Sequence, residues 1–472
     1  MTRINTNVFS LVSTRNLNTN NNALSTSLER LSTGLRVNKG KDDPAGLIAS
    51  ERLRAEMAAI NAAIDNAERA DNMIAVAEGG LQEISSLLIE LEGLVDRSAN
   101  EAGLSAEELA ANQLEVDTIL ETINRIATST EFSGKKLLNG SLDYTTSSLP
   151  ASGITDLRIN SARLAEGSSK SVVIQVTGSA QAASLVYNGA TTASSTTTIQ
   201  VSGKYGTEQF TFGSSTNASA VVAAVQSAKS LTGVSARISG GNIVFNSTEF
   251  GSDAFVSVEA LQGTFAVTGG SSATKDYGQD VEATVNGIKA ITKGLNVSVR
   301  SASLNIDATL SAWVASRPNQ TRTFTINGGG ANFSIAPTQG VNAMASIGIQ
   351  SVATGNLGSQ GLGFLSSLGS GQANQLSEGK FETAQRIIRE ASSQVASLRG
   401  RLGAFQKNTL TSAMNSLKVT LENVTAAESA IRDTDFALET SRLTRAQILV
   451  NSSTTTLQQA NAMPQNALAL LR

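Results

Sequence analysis

Apolar residues recur at every third or fourth position through long stretches at both ends of the chain. An early series consists of Leu24, Leu28, Leu31 and Leu35. A longer series starts after a break between residues 40 and 44. This spacing places the side chains on one face of a helix, as in coiled coils. The pattern predicts long amphipathic helices, with a polar loop near 101–105 before a return helix.

The same spacing is more regular from residue 376 onwards. One run extends from Ala384 to Phe405 and a second from Leu410 to Ile431. A single helix of this kind cannot bury its apolar face alone. We therefore expect the N-terminal and C-terminal helices to pair, although they lie far apart in the sequence.

The middle of the chain, from about 141 to 375, is rich in Ser, Thr, Gly and Val and alternates with a period of two. Such alternation, interrupted by Gly, Ser and Asn, predicts antiparallel hairpins. Predicted strands cover 172–176, 198–201, 209–212, 243–245, 255–258, 295–299, 304–306 and 324–326, and a short helix is predicted over 218–229. The fold class is therefore α+β: a long antiparallel helical coiled-coil rod formed by the paired terminal segments, with a β-rich inserted outer region.

The composition narrows the possible chemistry, because the 472 residues include no histidine and no cysteine. Histidine-dependent catalysis, imidazole or thiolate metal sites and disulfides are excluded, and we expect no metal and no cofactor. The formal net charge of −3 gives no general footprint for nucleic acid. No apolar run approaches the ~18 residues of a membrane span, and the polar start lacks the apolar segment of a secretory signal.

Several polar features leave alternatives open. Asp42 with Asp43, and Asp433 with Asp435, fit either catalytic carboxylates or helix caps, and capping is the more common role. The basic N-terminal end fits a membrane surface or a partner helix, and its leucine series without Trp or Phe favours the helix. We expect the last helix to end or kink at Pro464.

Both ends carry motifs that resemble bacterial flagellin, the subunit of the flagellar filament. The similar N-terminal segments are Ile4–Asn7, Leu28–Asn38 and Asp42–Leu47. The similar C-terminal segments are Leu398–Gln406, Glu422–Asn423, Ile431–Ala437, Leu443–Arg445, Gln447–Leu449, Ala460–Asn461 and Pro464–Gln465. Asn246–Asp253 also resembles an insert in the outer part of many flagellins.

The resemblance implies a division into domains. Residues 1–45 and 432–472 would form the inner, channel-lining coiled-coil domain. Residues 46–167 and 321–431 would form the helical rod domain, and 168–320 the variable β-rich outer domain or domains.

The predicted seams follow this division. The inner-domain polymerisation seam consists of Leu24, Leu28, Leu31, Leu35, Ile448, Leu449, Leu457, Leu468 and Leu471. The rod-domain seam consists of Leu53, Ile60, Ile64, Ile74, Leu81, Ile84, Leu88, Leu91, Ile388, Val395, Leu398, Leu402, Phe405, Leu417, Leu421 and Val424.

The implied function is structural: the chain would polymerise into the helical filament that propels swimming, without catalysis. It would leave the cell uncleaved through the flagellar type III export apparatus and reside in the extracellular filament. Its implied partners are copies of itself, an export chaperone at the C-terminus, the filament cap and the hook–filament junction proteins, with no nucleic acid and no membrane. Segment 168–320 would carry either O-glycans or a plain hydroxyl surface.

The resemblance also bears on an innate receptor. Many flagellins that activate the Toll-like receptor for flagellin have arginines where this chain has Glu90 and Glu92, while Leu94 is retained. An acid in place of a guanidinium reverses the local charge complementarity. We therefore expect weak or no receptor activation.

Two other functions are weighed against a filament subunit. A hook–filament junction protein is disfavoured by the near-complete C-terminal signature and the large insert. A surface enzyme or adhesin could reside in the middle region. A metalloprotease insert needs histidines, so a carboxylate-only glycosidase or a glycan-binding surface remains as the alternative.

Overall fold

The computed structural model describes residues 6–100, 103–150, 152–165, 167–189, 195–301, 303–338, 340 and 343–469, with only the backbone described over 465–469. The α-helices are α1 (Val8–Thr33), α2 (Pro44–Ser98), α3 (Ala106–Ser129), α4 (Ala218–Ser227), α5 (Lys229–Thr232), α6 (Ala312–Ala315), α7 (Phe381–Phe405), α8 (Ser412–Arg432) and α9 (Phe436–Ala469). A π-helix, Gln406–Thr411, joins α7 to α8, and 3-10 helices cover Leu365–Leu368 and Leu376–Glu378.

The strands lie between α3 and α7. They are β1 (Glu131–Phe132), β2 (Lys135–Lys136), β3 (Tyr144–Ser147), β4 (Ile154–Ala162), β5 (Lys170–Gly178), β6 (Ser184–Tyr187), β7 (Thr197–Gly203), β8 (Thr207–Phe212), β9 (Val234–Ser239), β10 (Asn242–Ser247), β11 (Phe255–Gln262), β12 (Val267–Thr268), β13 (Lys275–Tyr277), β14 (Glu282–Val285), β15 (Ile288–Lys289), β16 (Ile291–Lys293), β17 (Asn296–Arg300), β18 (Leu304–Leu310), β19 (Thr321–Gly329), β20 (Ala331–Ser334), β21 (Met344–Ile347), β22 (Gly358–Ser359) and β23 (Gly363–Phe364).

The chain divides into two compact units. The first comprises Met1–Glu68, Ile335–Gln339 and Thr411–Arg472, and the second comprises Arg69–Ser334 and Gly340–Leu410. The long helix α2 contributes its start to the first unit and its remainder to the second.

In the first unit, the start of α2 runs antiparallel to α8. Arg432 Nη1 lies 3.3 Å from Glu51 Oε1, and the Thr425 hydroxyl contacts the Met57 sulfur at 3.3 Å. Ile60, Ala63, Ile64 and Leu417 form the buried cluster between these helices. The residue numbers of the contacting side chains increase along α2 and decrease along α8, so the two helices are antiparallel. The pairing predicted between the two ends of the chain is therefore present here.

In the second unit, the remainder of α2 packs antiparallel against α7. Gln385 donates to Asp96 at 2.9 Å, and Arg389 bonds Glu92 at 2.7 Å. Helix α3 returns beside α2, where Asn112 donates to the Ser98 hydroxyl at 3.0 Å. A capping box starts α3, since Ser105 accepts from the Glu108 amide while the Glu108 carboxylate accepts from the Ser105 amide.

The first β-sandwich consists of a five-stranded sheet, β15-β14-β5-β19-β3, and a four-stranded sheet, β16-β17-β18-β4. Alternate residues of these antiparallel strands point into one shared core that contains Val172, Ile174, Ile306, Phe324 and Ile326. The alternation matches the half-buried pleat that the sequence predicts. Strands β4 and β19 lie outside the predicted outer segment 168–320, so this core crosses both predicted boundaries.

The second β-sandwich is inserted into the first. Its sheets are β12-β6-β10-β9 and β13-β11-β7-β8, and α4 packs onto the same core. The chain enters and leaves at a neck where Gln181 and Gln279 exchange two backbone hydrogen bonds of 2.9 Å. Because the two ends of the insertion meet at one backbone pair, the second sandwich is connected through a narrow junction.

All eight predicted strands and the predicted helix over 218–229 are confirmed within these elements. Of the predicted end or kink at Pro464, the end is wrong, because α9 continues through Pro464 to Ala469, and the kink stays a prediction. Proline removes one amide donor from the helix. It is tolerated here without ending the helix.

Candidate self-association surface

Helices α1 and α9 form an antiparallel pair whose mutual contact is polar. The Asn7 side-chain amide donates to the Ala460 backbone carbonyl at 2.7 Å, and the Asn20 side-chain amide donates to the Ser453 hydroxyl at 2.7 Å. The Ser10 hydroxyl donates to Asn461 Oδ1 at 2.7 Å. Small and polar side chains therefore contribute to the seam between these two helices, beside half-buried leucines such as Leu24 and Leu443.

The most buried group of this seam is a carboxylate. Glu439 on α9 is 2% exposed, and its Oε1 accepts a 2.6 Å hydrogen bond from the Ser27 hydroxyl on α1. Its Oε2 lies 3.2 Å from Arg442 Nη1 and 3.8 Å from Arg30 Nη1. A buried charge needs partners of this kind, and α1 supplies two of the three.

Large apolar side chains point away from the seam. On α1, Val8, Phe9 and Leu11 are 59%, 70% and 65% exposed. On α9, Phe436 and Leu438 are 57% and 51% exposed. Apolar surface of this extent on a single chain marks a region that a partner covers.

Some residues of the predicted inner seam are half-buried and others are exposed. Leu24, Leu31, Leu35 and Leu457 are half-buried, whereas Leu28, Ile448 and Leu449 are exposed at 50%, 63% and 45%. The Leu468 side chain and Leu471 lie outside the described residues. The half-buried Leu24, Leu31 and Leu457 stay predictions for this seam, whereas Leu28, Ile448 and Leu449 leave much of their surface exposed.

Sequence reasoning missed the residues that make the seam. Ser13, Asn20 and Ser27 follow one another at seven-residue spacing on α1. Glu439, Ala446, Ser453 and Ala460 do the same on α9. This heptad of small and polar residues was the available signal, but a search for leucines at coiled-coil spacing passes over it.

Two short segments, Gly34–Arg36 and Arg432–Thr434, lie where α1 and α9 connect to their neighbouring helices in the first unit. We call these two paired segments the elbow. The Arg36 amide donates to the Arg432 carbonyl at 2.7 Å, and the Thr434 amide donates to the Gly34 carbonyl at 2.9 Å. Gly34 ends α1 with a φ of 74°, a left-handed conformation that favours glycine. The two connecting segments therefore pair through backbone hydrogen bonds. This pairing fixes the position of α1 along the axis of α9.

One member of each acidic pair in these connections caps the helix that follows it. Asp435 accepts from the Ala437 and Leu438 amides at 2.9 and 3.1 Å, and Asp43 accepts from the Gly46 amide at 2.9 Å. Asp42 accepts from the Lys39 amide at 2.9 Å, and this bond lowers the pKa of the Asp42 carboxyl. The capping interpretation is confirmed for Asp43 and Asp435, whereas Asp42 bonds amides that precede it and closes a turn instead of capping a helix.

The predicted rod seam is buried or half-buried throughout. Fully buried members, at 0–8% exposure, are Ile60, Ile64, Ile74, Leu81, Ile84, Leu88, Leu91, Ile388, Val395, Leu398, Leu402 and Leu417. Half-buried members are Leu53, Phe405, Leu421 and Val424. The helices α2, α3, α7 and α8 thus bury their apolar faces within the chain.

The three residues predicted at the receptor site lie on α2. Glu90 is exposed, and Glu92 forms the 2.7 Å ion pair with Arg389. Leu94 is 1% exposed in the core of the second unit. A partner that approaches this helix would therefore contact the two carboxylates and not the leucine.

Within the described ranges, no three His, Cys, Asp or Glu side chains gather as a metal site. No helix in that part of the chain is long and apolar enough to cross a membrane.

Two family models match the chain: the bacterial flagellin N-terminal helical region over 4–143 and the bacterial flagellin C-terminal helical region over 386–471. Flagellin of Salmonella rubislaw is 30% identical, over 99% of this chain and 99% of its own length. Flagellin A of Vibrio anguillarum is 28% identical over the same shares. The solved structure of Xanthomonas campestris FlgL is 14% identical and covers 79% of this chain and 98% of that chain. Its TM-score of 0.27 is too low to support an argument.

Proposed function

The chain belongs to the bacterial flagellin family, and on that premise we propose that neighbouring copies cover the apolar side chains exposed on α1 and α9. As a member of this family the chain is a structural subunit of the flagellar filament and serves motility, and its place is the extracellular flagellum. The observation that carries the proposal is the combination of a polar seam inside the helix pair with exposed residues such as Phe9 and Ile448 outside it.

Burial of these side chains supplies the driving force for assembly. Fully burying one large aliphatic or aromatic side chain contributes about 1.5–3 kcal/mol. The helix pair exposes many such groups, so contacts with several neighbours offset the entropy lost when subunits are ordered. A contact that joins different patches of neighbouring copies without closing a ring produces a helical filament.

The experiment compares two isoleucine substitutions of matched chemistry. Ile448 on α9 is 63% exposed and Ile291 on β16 is 69% exposed, so neither supports the fold of the single chain. We expect Ile448→Ser to raise the critical concentration for seeded assembly at least about tenfold, because about 1.4 kcal/mol corresponds to a factor of ten. Ile291→Ser is the control and should leave it unchanged. Equal critical concentrations for both variants would contradict the proposal.

The domain division follows the same reasoning. We propose that 1–45 and 432–472 form the inner domain, 46–167 and 321–431 the rod domain, and 168–320 the outer region, with β4 and β19 from the rod segments completing the core of the first sandwich. The pairing of α1 with α9 supports the first assignment. The antiparallel packing of α2 with α7 supports the second.

Further partners are proposed from the family and from the exposed faces. An export chaperone would bind the C-terminal helix before assembly, where Leu438, Ile448 and Met463 offer apolar surface of 51%, 63% and 51% exposure. The filament cap and the hook–filament junction proteins would contact the ends of the polymer. Hydroxyl side chains of 168–320 would carry O-glycans, and an intact mass equal to that of the bare chain would remove this proposal.

We also propose that the subunit performs no catalysis and activates the Toll-like receptor for flagellin weakly. Asp43 and Asp435 cap helices and Asp42 closes a turn, which supports a structural role for all three. For the receptor, the exposed carboxylate of Glu90 stands where activating relatives present a guanidinium. Glu90→Arg should raise the response of reporter cells, and Glu83→Arg on the same helix is the matched control. No gain from Glu90→Arg would contradict this explanation.

A further inference from the structure

The buried carboxylate between α1 and α9 stands apart from the rest of the molecule. Among the residues that the structure describes, Glu439 is the one charged side chain with less than a tenth of its surface exposed. The seam includes small side chains such as Ser13, Ala446 and Ala460, each at 5–8% exposure, and half-buried leucines such as Leu24 and Leu443. Small side chains fit together in many ways, so they do not by themselves decide which faces of the two helices meet.

Each helix carries a half-exposed leucine directly beside this seam. Leu28 follows Ser27 on α1, and Leu438 precedes Glu439 on α9. Both leucines are about half exposed, at 50% and 51%. Neighbouring residues point about 100° apart around an α-helix. Rotating each helix by that angle would therefore replace the Ser27–Glu439 contact with a Leu28–Leu438 contact at the same level along the axes.

We propose that Glu439, together with Ser27 and Arg30, selects the faces through which α1 and α9 meet, and so keeps the leucine faces outward for neighbouring copies. This inference rests on the proposed function. Glu439 is a positioning residue here, because it acts through the orientation of the side chains that touch the neighbour.

The physical reason lies in where the charge would go. In the observed pairing, the carboxylate accepts from Ser27 at 2.6 Å and faces Arg30 at 3.8 Å. In the rotated pairing it would leave both groups and turn toward the surface that neighbouring copies cover in the filament. A carboxylate covered by apolar side chains without its cross-helix partners is strongly disfavoured. The elbow sets the level of the two helices through backbone bonds, whereas this cluster sets their rotation.

The chain contains no cysteine, so engineered cysteine pairs form the only possible disulfides. Their cross-linking therefore reports which faces of α1 and α9 meet in assembled filaments. Asn20→Cys with Ser453→Cys reports the observed pairing, since these side chains bond at 2.7 Å. Leu28→Cys with Leu438→Cys reports the rotated pairing. After mild oxidation and denaturation, an intrachain disulfide appears as a monomer of shifted mobility, and a disulfide between copies appears as a dimer.

In the parent background we expect the first cysteine pair to close and the second to remain mostly open within one chain. Adding Glu439→Leu should increase intrachain closure of the second pair at least about fivefold. Glu439→Gln retains an acceptor for Ser27 but removes the charge, so its intrachain closure of the second pair should lie between those of the parent and of Glu439→Leu. Glu422→Leu, at an exposed position of α8, is the matched control. An unchanged pattern in Glu439→Leu filaments, or an equal change with Glu439→Gln, would overturn the proposal.

A second pair of variants decides the question if Glu439→Leu does not assemble. Arg30→Met leaves the carboxylate without its cross-helix cation and should raise the critical concentration at least about fivefold. Adding Glu439→Gln should bring it back to within about twofold of the parent. Independent, additive effects of the two substitutions would overturn the proposal. If the parent chain itself formed no filament, the proposed function would fail instead, so the two failures are distinguishable.

Discussion

The α1–α9 pair and the α2–α3–α7 packing use the same helical spacing in opposite ways. The first pair buries serine, asparagine and glutamate between its helices and exposes residues such as Phe9 and Ile448. The second buries Leu81, Leu88 and Leu91 completely. The apolar spacing of a helix therefore predicts that a face will be covered, but not whether the same chain covers it. One region is complete within the chain, and we propose that neighbouring copies complete the other.

The largest expected effect comes from removing one member of the incomplete region. Deletion of residues 440–472 removes most of α9 and, with it, the partner of α1. We expect complete loss of seeded assembly, measured by sedimentation and electron microscopy. The circular dichroism signal of the remaining helices should persist, because the α2–α3–α7 packing does not involve α9. Filaments formed by this truncated chain would show that the helix pair is dispensable.

The next effect contrasts a leucine from each region in the unassembled chain. Leu88 is 0% exposed and Leu449 is 45% exposed. Leu88→Ala should lower the free energy of unfolding by about 2–5 kcal/mol, because it leaves a cavity in a packed core. Leu449→Ala should change it by less than about 0.5 kcal/mol while still weakening assembly. Chemical denaturation measures both, and similar losses of stability would erase the distinction between the regions.

Two glycines, one from each region, extend the comparison to the strain that an alanine would place on the backbone. Gly34 has a φ of 74°, and a Cβ there would meet no neighbouring atom within 4 Å. Gly34→Ala should therefore cost about 1–2 kcal/mol through backbone strain alone, which raises the critical concentration roughly tenfold. Gly93→Ala, inside α2 and equally open, should instead stabilise the chain by about 0.5–1 kcal/mol. The same sign of effect at both positions would refute the strain argument.

A smaller effect tests an ionic cluster of the second β-sandwich, which lies beside Arg386 of α7. Burial pulls the pKa of Glu249 upward, but hydrogen bonds from Lys204 and Tyr205 outweigh it and hold that pKa below its usual range. Burial, together with the bond to Glu249, raises the pKa of Tyr205 to about 12. The glutamate therefore stabilises the fold above the ordinary pKa of about 4.3, and this contribution is lost as the pH falls through its lowered pKa.

Glu249→Gln should lower the melting temperature at pH 7 by no more than about 5 °C, because exposed pairs contribute about 0.2–1 kcal/mol. The difference between the variant and the parent should disappear below about pH 3. Differential scanning calorimetry across the pH range checks this. A difference that stays constant from pH 7 to pH 3 would exclude the ionic cause.

The smallest expected effect is the removal of the second β-sandwich. Deletion of 182–278 joins Gln181 to Gln279, which already pair through two backbone hydrogen bonds. We expect filaments to form at nearly the parent critical concentration. Deletion of 168–320 is a harsher cut, because it removes β5 and β18 from the core of the first sandwich. Loss of assembly with the shorter deletion would show that the helical regions depend on the second sandwich.

The sequence predicted the strongly periodic elements well. Alternation of period two located β5, β7, β8, β10, β11, β17, β18 and β19, because each has one face in a core. Apolar heptads located α2, α7 and α8 for the same reason. The short strand β3 and the strand β4 were missed. In β4 the buried and exposed positions do not alternate regularly, so period two is weak there.

The candidate surface was predicted only in part. Leu28 and Ile448 were identified as assembly residues from their spacing, and both are exposed. The faces through which α1 and α9 meet were not predicted. They are set by Ser27 and Glu439, and a search for hydrophobic patterns ignores serine and glutamate. The continuation of α9 through Pro464 was likewise missed, because local propensity is weaker than the context of a long helix.

The most direct test of the account is electron cryo-microscopy of filaments grown from seeds of the same chain. The quantity to measure is the accessible surface of Phe9, Leu28 and Ile448 in the filament. We predict that each loses most of its exposed area to side chains of neighbouring copies, while Glu439 keeps its contacts with Ser27 and Arg30. Filaments in which these apolar side chains remain open to solvent, or pack against their own chain, would contradict the account.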